Sequence, residues 1–109
     1  MFNIAERPEF THVVTIAVPS DGGYREETMR VRFRAIPDEE ADAFRLDDPD
    51  GMKAFLREII VHIDDLVGGD NKAIAWSDDV RELVLGMPWV RMALMRAYMM
   101  AVVNARLGN

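Results

Sequence analysis

The stretch from Pro88 to Leu107 is apolar around almost its whole circumference when it is drawn as a helix. Pro88 suits a first helical turn, and Gly108 suits a helix end. Its polar residues point in separate directions and share no face; they are Arg91, Arg96, Asn104 and Arg106. Such a helix is buried in its own domain, in a membrane or against another chain. A chain of 109 residues has one modest core, so we expect core on one side and an interface on another.

The predicted last helix is rich in alanine and methionine. Alanines recur every fourth residue and form a narrow seam that another helix can approach closely; they are Ala93, Ala97, Ala101 and Ala105. Methionines, which adapt to partners of varied shape, are expected on either side of the seam; they are Met92, Met95, Met99 and Met100. We predict a partner-binding surface made of Trp89, Met92, Met95, Tyr98, Met99 and Val102. The alternative is a plain core helix.

Composition excludes several classes of protein. Half of the residues are hydrophobic and the net charge is −6, which disfavours nucleic-acid binding. The absence of cysteine excludes disulfides and thiolate chemistry and fits a reducing cytoplasm. Acidic residues cluster in Asp38–Asp50 and arginines in the last helix, so copies of the chain have a basis for mutual attraction and a homo-oligomer is expected.

The sequence gives no sign of a membrane segment. The first ten residues lack the apolar core of a signal peptide. A membrane span needs about 20 largely uncharged residues, and Arg91 and Arg96 interrupt the last helix. We therefore expect no membrane partner.

Alternating residues predict a β-hairpin near the start. Met1–Glu9 has no periodicity and is expected to be a flexible arm. Phe10–Val18 is rich in β-branched residues, and Pro19–Gly23 has turn chemistry. In Met29–Ile36 one face is apolar and the other basic. The apolar set is Met29, Val31, Phe33 and Ala35. The basic set, Arg30, Arg32 and Arg34, is expected as a solvated face paired with Glu26, Glu27 or the acidic segment that follows, or, less favoured, as a phosphate-binding stripe.

Helical patterns fill the rest of the chain. Pro37–Asp47 predicts a short acidic helix, and Pro49–Val67 predicts an amphipathic helix capped by Asp48 or Asp50. Ser77 is a natural cap for a short helix over Asp78–Leu85. The predicted fold class is α+β, with an N-terminal antiparallel β-hairpin packed against a small bundle of three to four helices in a single domain, 1–109.

No arrangement of residues with catalytic chemistry stands out. His12 and His62 lie outside any ligand or triad motif, and Asp64 and Asp65 would diverge on a helix. The Gly-Gly pairs lack the spacing and the lysine of a phosphate loop. We therefore predict neither an enzyme nor a metal or cofactor site, and favour a protein that binds other proteins.

Several phrases of this sequence resemble the tail assembly chaperones of long-tailed bacteriophages and related prophages. A strand pair surrounds Val18–Gly23, the phrase Ala54–Ile60 has a Phe-Leu core, and Leu66–Ser77 follows a Leu-x-Asp-turn-aromatic-Ser pattern. The most specific phrase is Pro88–Tyr98, Pro-Trp-Val-Arg-Met-Ala-Leu-Met-Arg-Ala-Tyr. The likeness covers roughly Phe10 to Asn109. It departs from relatives that carry tryptophan where this chain has His62-Ile63, and in the density of its acidic segment.

The resemblance implies a function in the host cytoplasm. Such proteins bind the tape-measure protein, keep it soluble, help to recruit tail-tube subunits and are absent from the finished virion. Many relatives are also made in a longer, frameshifted form. Two alternatives stay open: a virion structural protein such as a tail or connector subunit, and a small enzyme or regulator assembled across an oligomer. The oligomeric number, the client segment and the face of the last helix that is core are not determined by the sequence.

Overall fold

A computed structural model describes residues 1–103 of the chain. It is an α+β fold in which four helices accompany a three-stranded antiparallel sheet of order β1-β2-β3. The predicted class is therefore confirmed. The elements, in chain order, are β1 (Glu9–Ser20), β2 (Gly23–Arg34), α1 (Asp38–Ala41), α2 (Pro49–Ile59), β3 (Ile60–Asp64), α3 (Asp78–Leu85) and α4 (Pro88–Val103).

The predicted hairpin is present and longer than its sequence pattern indicated. β1 and β2 pair without interruption from Glu9 with Arg34 to Ser20 with Gly23. Gly22 takes a φ of 76° in the connecting turn, a conformation that glycine adopts without steric cost. The alternation in β2 is also confirmed: Met29, Val31 and Phe33 are buried, and the intervening arginines face away from the core.

The third strand corrects the sequence analysis. The pattern from Pro49 to Val67 predicts one long helix, but α2 ends at Ile59 and the chain continues as β3, paired antiparallel with β2. β3 contains an irregularity: Phe33 pairs with Ile60 while the adjacent Arg32 pairs with His62, which leaves Val61 as an extra residue. Ile60 and Ile63 consequently lie on the same buried face although they are three residues apart. Because of this bulge, the buried residues of β3 are three positions apart, a spacing that is typical of a helix.

The helices cover one face of the sheet. α4 packs along β1, and α2 packs against β2 and β3. Aromatic rings join the two halves of this core: Tyr98 of α4 lies 5.8 Å from Phe33, 5.6 Å from Phe55 and 6.4 Å from Phe10, measured between ring centroids. The Ile36 N–H donates to the Tyr98 hydroxyl oxygen over 3.1 Å. Ring packing and this hydrogen bond therefore hold α4 against the hairpin and the residues that follow it.

The shorter helices begin close to where the sequence places them. Asp48 caps α2, accepting from the Gly51 N–H at 2.7 Å, and Ser77 caps α3, accepting from the Val80 N–H at 3.1 Å. The acidic helix is shorter than predicted: α1 covers Asp38–Ala41 only and buries no residue fully. Without an apolar stripe to pack, a run of acids cannot sustain a longer helix.

The predicted helix Pro88–Leu107 is helical from Pro88 to Val103. Asn104, Ala105, Arg106 and Leu107, and the predicted end at Gly108, lie outside the described residues. Within residues 1–103, no helix is both long enough and apolar enough to cross a membrane.

Candidate protein-binding surface

The surface of α4 divides into three parts. Its inner side is buried by the sheet and by the other helices and consists of Val90, Arg91, Ala93, Leu94 and Tyr98. The Arg91 guanidinium is also buried, and its Nη1 donates to the Leu85 carbonyl oxygen at the end of α3 over 2.9 Å. Two flanks remain, one facing the segment between α1 and α2 and the other facing β1.

The first flank carries four of the six predicted partner-binding residues. We call it the methionine flank: Met92, Met95, Met99 and Val102. Met92, Met99 and Val102 are 52%, 42% and 41% exposed, whereas Met95 is half-buried against the core. Since α4 has one turn about every 3.6 residues, these positions form a continuous apolar strip along the helix.

The segment between α1 and α2 forms the far wall of a groove along the methionine flank. Near the start of α4, Leu46 and Met52 approach Met92. Near its end, Phe44 and Ile36 approach Met99 and Val102 around a depression of about 320 Å³. The floor and both walls are therefore largely apolar.

The rim of this groove is acidic. Asp47 and Asp48 line one end, and Asp38 and Asp42 line the other. Arg45 donates from Nη2 to Asp47 Oδ2 over 3.0 Å, and this hydrogen bond lowers the pKa of Asp47. Four aspartates line the rim and Arg45 pairs with two of them, Asp47 and Asp48. Carboxylates therefore outnumber the cation at the rim, and an apolar ligand with basic neighbours would suit both parts of the groove.

A close backbone contact positions the rim. Gly51, in the first turn of α2, lies against the backbone of Arg45, and any Cβ at this position would collide with the Arg45 carbonyl oxygen. The Asp48 carboxylate holds the same turn by accepting from the Gly51 N–H. The wall that carries Leu46 is therefore packed directly onto the start of α2.

The second flank of α4 faces β1. We call it the alanine flank: Ala97, Ala101 and Met100, with the buried Ala93 at its border with the inner side. It borders a groove whose other wall is formed by β1 residues, among them His12 and Val14. Of the four methionines expected beside the alanine seam, Met100 alone lies in this groove.

Two predicted partner-binding residues lie away from the methionine flank. Tyr98 is only 3% exposed and belongs to the aromatic core, because its ring packs on three phenylalanines and its hydroxyl holds the end of β2. A partner therefore cannot reach its side chain in this conformation. Trp89 is 38% exposed and lines a separate depression with Ile16, Val18 and Val67.

The two histidines occupy opposite faces of the sheet. His12 lies on the helix-covered face, in the groove beside α4. His62, which the sequence placed on a helix, lies on β3, and its Nε2 is 2.8 Å from Asp64 Oδ1. Across residues 1–103, no group of three or more His, Cys, Asp or Glu side chains is arranged to hold a metal ion.

The arginine row of β2 lies on the open face of the sheet, with a different acidic partner from those expected. Arg32 Nε lies 3.3 Å from Glu9 Oε1 and Arg34 Nε lies 3.8 Å from Glu9 Oε2. Glu27, an expected partner, pairs instead with Arg25. Because Glu9 is the β1 residue opposite Arg34, strand register decided this pairing.

Comparisons with known proteins identify no relative: no protein-family model matches the chain, and neither curated proteins nor solved structures contain a significant match.

Proposed function

We propose that this protein is a tail assembly chaperone of long-tailed bacteriophages or prophages. It acts in the host cytoplasm, binds the tape-measure protein and helps to bring tail-tube subunits to it. The proposal draws on the resemblance of the phrase Pro88–Tyr98 and of the preceding elements to that family. The structural observation that carries it is the exposed methionine flank beside an acidic rim.

The groove favours an amphipathic helix as its ligand. An apolar strip on one helix accepts anchors spaced at i, i+3, i+4 and i+7 from another helix. Flexible methionine side chains adjust to anchors of different shapes, which suits a protein that must hold several segments of one long client. The acidic rim adds a preference for segments with lysine or arginine beside the apolar stripe, and it raises the rate of encounter with them.

Charge reversal on the methionine flank tests the proposal. Met92→Glu with Met99→Glu introduces two carboxylates where the client's apolar face would lie, so we expect loss of binding to helical tape-measure segments. These side chains are about half exposed, and the fold should therefore persist. Binding is measured by co-expression and pull-down with a long helical tape-measure candidate from the same genome, and folding is measured by circular dichroism.

The matched control is a second pair of exposed apolar residues away from the groove. Leu83 and Tyr24 are 69% and 63% exposed, and Leu83→Glu with Tyr24→Glu adds the same charge. The control should retain the client. Equal binding by parent and methionine-flank variant would contradict the assigned surface. Stoichiometric recovery of the chain from purified virions would assign it to the structural subunits of the particle instead.

A further inference from the structure

The two edges of the sheet are protected to very different degrees. β3 is five residues long, contains the bulge at Val61 and carries His62 and Asp64, all features that discourage pairing with another strand. β1 is twelve residues long, pairs with β2 without a bulge and has no Asp, Glu, Lys or Arg from Phe10 to Ser20. A long, regular and uncharged edge strand is a template for a further strand.

The hydrogen-bond pattern identifies the free backbone groups of β1. The Ala35 N–H donates to the Pro8 carbonyl oxygen over 2.8 Å, and hydrogen-bonded pairs alternate along an antiparallel ladder. Even-numbered residues of β1 therefore point their backbone groups at β2, and odd-numbered residues point theirs outward. Within residues 1–103 no backbone group bonds to the outward N–H groups of Thr11, Val13, Thr15 and Ala17. Pro19, which lacks an N–H, also falls at an outward position, as edge strands permit.

An apolar groove accompanies this edge. The alanine flank of α4 forms one wall, and Val14 and Thr15 of β1 contribute to the other around about 470 Å³ of open space. Alanine side chains leave room above the sheet for larger groups from elsewhere. A strand added to β1 would place alternate side chains into this groove.

The segment Met1–Pro8 supplies side chains that fit such a groove. Phe2 and Ile4 are 85% and 86% exposed, and no core residue of their own chain covers them. In this structure a turn spans Asn3–Glu6: the Glu6 N–H donates to the Asn3 carbonyl oxygen over 3.3 Å, and the Ala5 N–H donates to Asn3 Oδ1 over 2.9 Å. This exposed turn has to open before the arm can pair, and Phe2 and Ile4, two residues apart, then face the same side of an added strand. Met1–Ala5 has no charged side chain, and neither does the edge strand over Phe10–Ser20.

The arm is poorly placed to pair with β1 of its own chain. A tight reversal at Arg7-Pro8 needs a positive φ at Arg7 or at both residues. The proline ring fixes φ near −65°, and Arg7 is not among the described non-glycine residues with a positive φ, which are Asp65 and Asn71. Arg7 Nε is also engaged with Glu40 Oε2 at 3.0 Å, which holds the base of the arm against α1. The arm of a second copy needs no such reversal to reach this edge.

We propose that the arm of a second copy adds to the free edge of β1 as an extended strand and places Phe2 and Ile4 in the groove beside the alanine flank. Neither the side chains of Met1–Ala5 nor those of Phe10–Ser20 are charged, so the contact brings no like-charged side chains together. Burial of Phe2 removes about 150–250 Å² of side-chain surface from water, and reciprocal exchange of two arms doubles this contribution.

Disulfide trapping tests the arrangement directly, because the chain has no cysteine of its own. Ala97→Cys is mixed with Phe2→Cys or Ile4→Cys, each in otherwise unchanged full chains, and oxidised. We expect a covalent dimer between the two different variants. Asn3→Cys and Ala5→Cys are the matched controls, since their side chains point to the opposite side of the added strand and should link to Ala97→Cys much less. If Phe2→Cys and Ile4→Cys formed no more covalent dimer with Ala97→Cys than Asn3→Cys and Ala5→Cys did, the proposal would be overturned.

Two further variants test whether the arm side chains and the backbone groups of β1 stabilise the dimer in solution. Phe2→Asp with Ile4→Asp should convert a dimer to a monomer in analytical ultracentrifugation. Thr15→Pro removes an outward N–H without touching the β2 ladder and should weaken the dimer about tenfold relative to Thr15→Ala. A parent that is monomeric at all concentrations, or a dimer that ignores both changes, would overturn the proposal. The experiment uses this chain alone, so its result is independent of the proposed client, and Met92→Glu with Met99→Glu should still form the dimer.

Discussion

At the scale of single residues, Glu82 shows how a surface carboxylate can link two helices. Arg57 of α2 donates to both of its carboxylate oxygens, at 2.9 and 2.7 Å, and Arg81 Nε lies 2.9 Å from Oε2. The hydrogen bonds from Arg57 and then Arg81 lower the pKa of Glu82 from its ordinary value of 4.5 to about 2. The folded state therefore favours the ionised form more than the unfolded state does.

This difference predicts a pH dependence. A carboxyl group whose pKa is lower in the folded state contributes stability that is complete above its unfolded pKa. That contribution is lost as the pH falls from about 4.5 to about 2. We expect Glu82→Gln to have a lower Tm than the parent at pH 6 and a similar Tm near pH 2. Glu58→Gln, which removes a neighbouring carboxylate but leaves the Arg57–Glu82 pair intact, should not show this convergence. Thermal unfolding followed by circular dichroism gives both comparisons.

Arg91 is a second residue whose role depends on burial. It makes no ion pair within residues 1–103, and its Nη1 instead donates to the Leu85 carbonyl oxygen that ends α3. We expect Arg91→Met to lower the free energy of unfolding by about 1–3 kcal/mol, because a buried carbonyl loses its partner. Arg96→Met, on the exposed side of the same helix, should change it by less than about 0.5 kcal/mol. Urea unfolding of both variants measures the difference.

At the scale of elements, the junction of α2 and β3 is the place where local sequence and tertiary structure disagree. Ile59 ends the helix and Ile60 begins the strand, with a backbone φ of −96° and ψ of 118°. The run Ile59–Ile63 is rich in β-branched residues, which favour strands. That signal was present in the sequence, but the bulge gave Ile60 and Ile63 a helix-like spacing.

Ile59 lies fully buried at this junction, and its truncation tests how much the junction contributes. We expect Ile59→Ala to lower the free energy of unfolding by about 2–5 kcal/mol, because a cavity forms under the sheet. Val61→Ala, half-buried at the bulge, should cost clearly less. Denaturant unfolding provides the measurement, and equal losses for the two variants would contradict the placement of Val61 outside the core.

At the scale of the whole molecule, β2 is the central strand of the sheet and β1 is an edge strand with an unpaired outer side. β2 is paired on both sides and its Val31 and Phe33 side chains are 0% exposed, whereas β1 is paired on one side only. The helices cover one face of the sheet, and arginine and threonine side chains lie on the other face. Association through β1 would therefore extend the existing sheet without rearranging its core.

Amide hydrogen exchange should report this asymmetry residue by residue. In dilute protein we expect the slowest exchange in β2, intermediate exchange at the even-numbered amides of β1 and fast exchange at Thr11, Val13, Thr15 and Ala17. On raising the concentration these four amides should become protected, as the added strand forms. Uniform protection along β1 in the dilute monomer would mean that its edge is already covered. Exchange followed by NMR distinguishes the two cases.

Local patterns along the chain were enough to predict the hairpin, the helix starts at Asp48 and Ser77, and the apolar character of the last helix. These features depend on contacts between near neighbours: strand alternation, a short turn and side chains that cap the first free N–H groups. Three features emerged only in the folded chain: the switch from α2 to β3, the burial of Tyr98 and the division of α4 into two flanks. Each of these depends on which distant segment packs against which side, and residue spacing along the chain does not contain that choice.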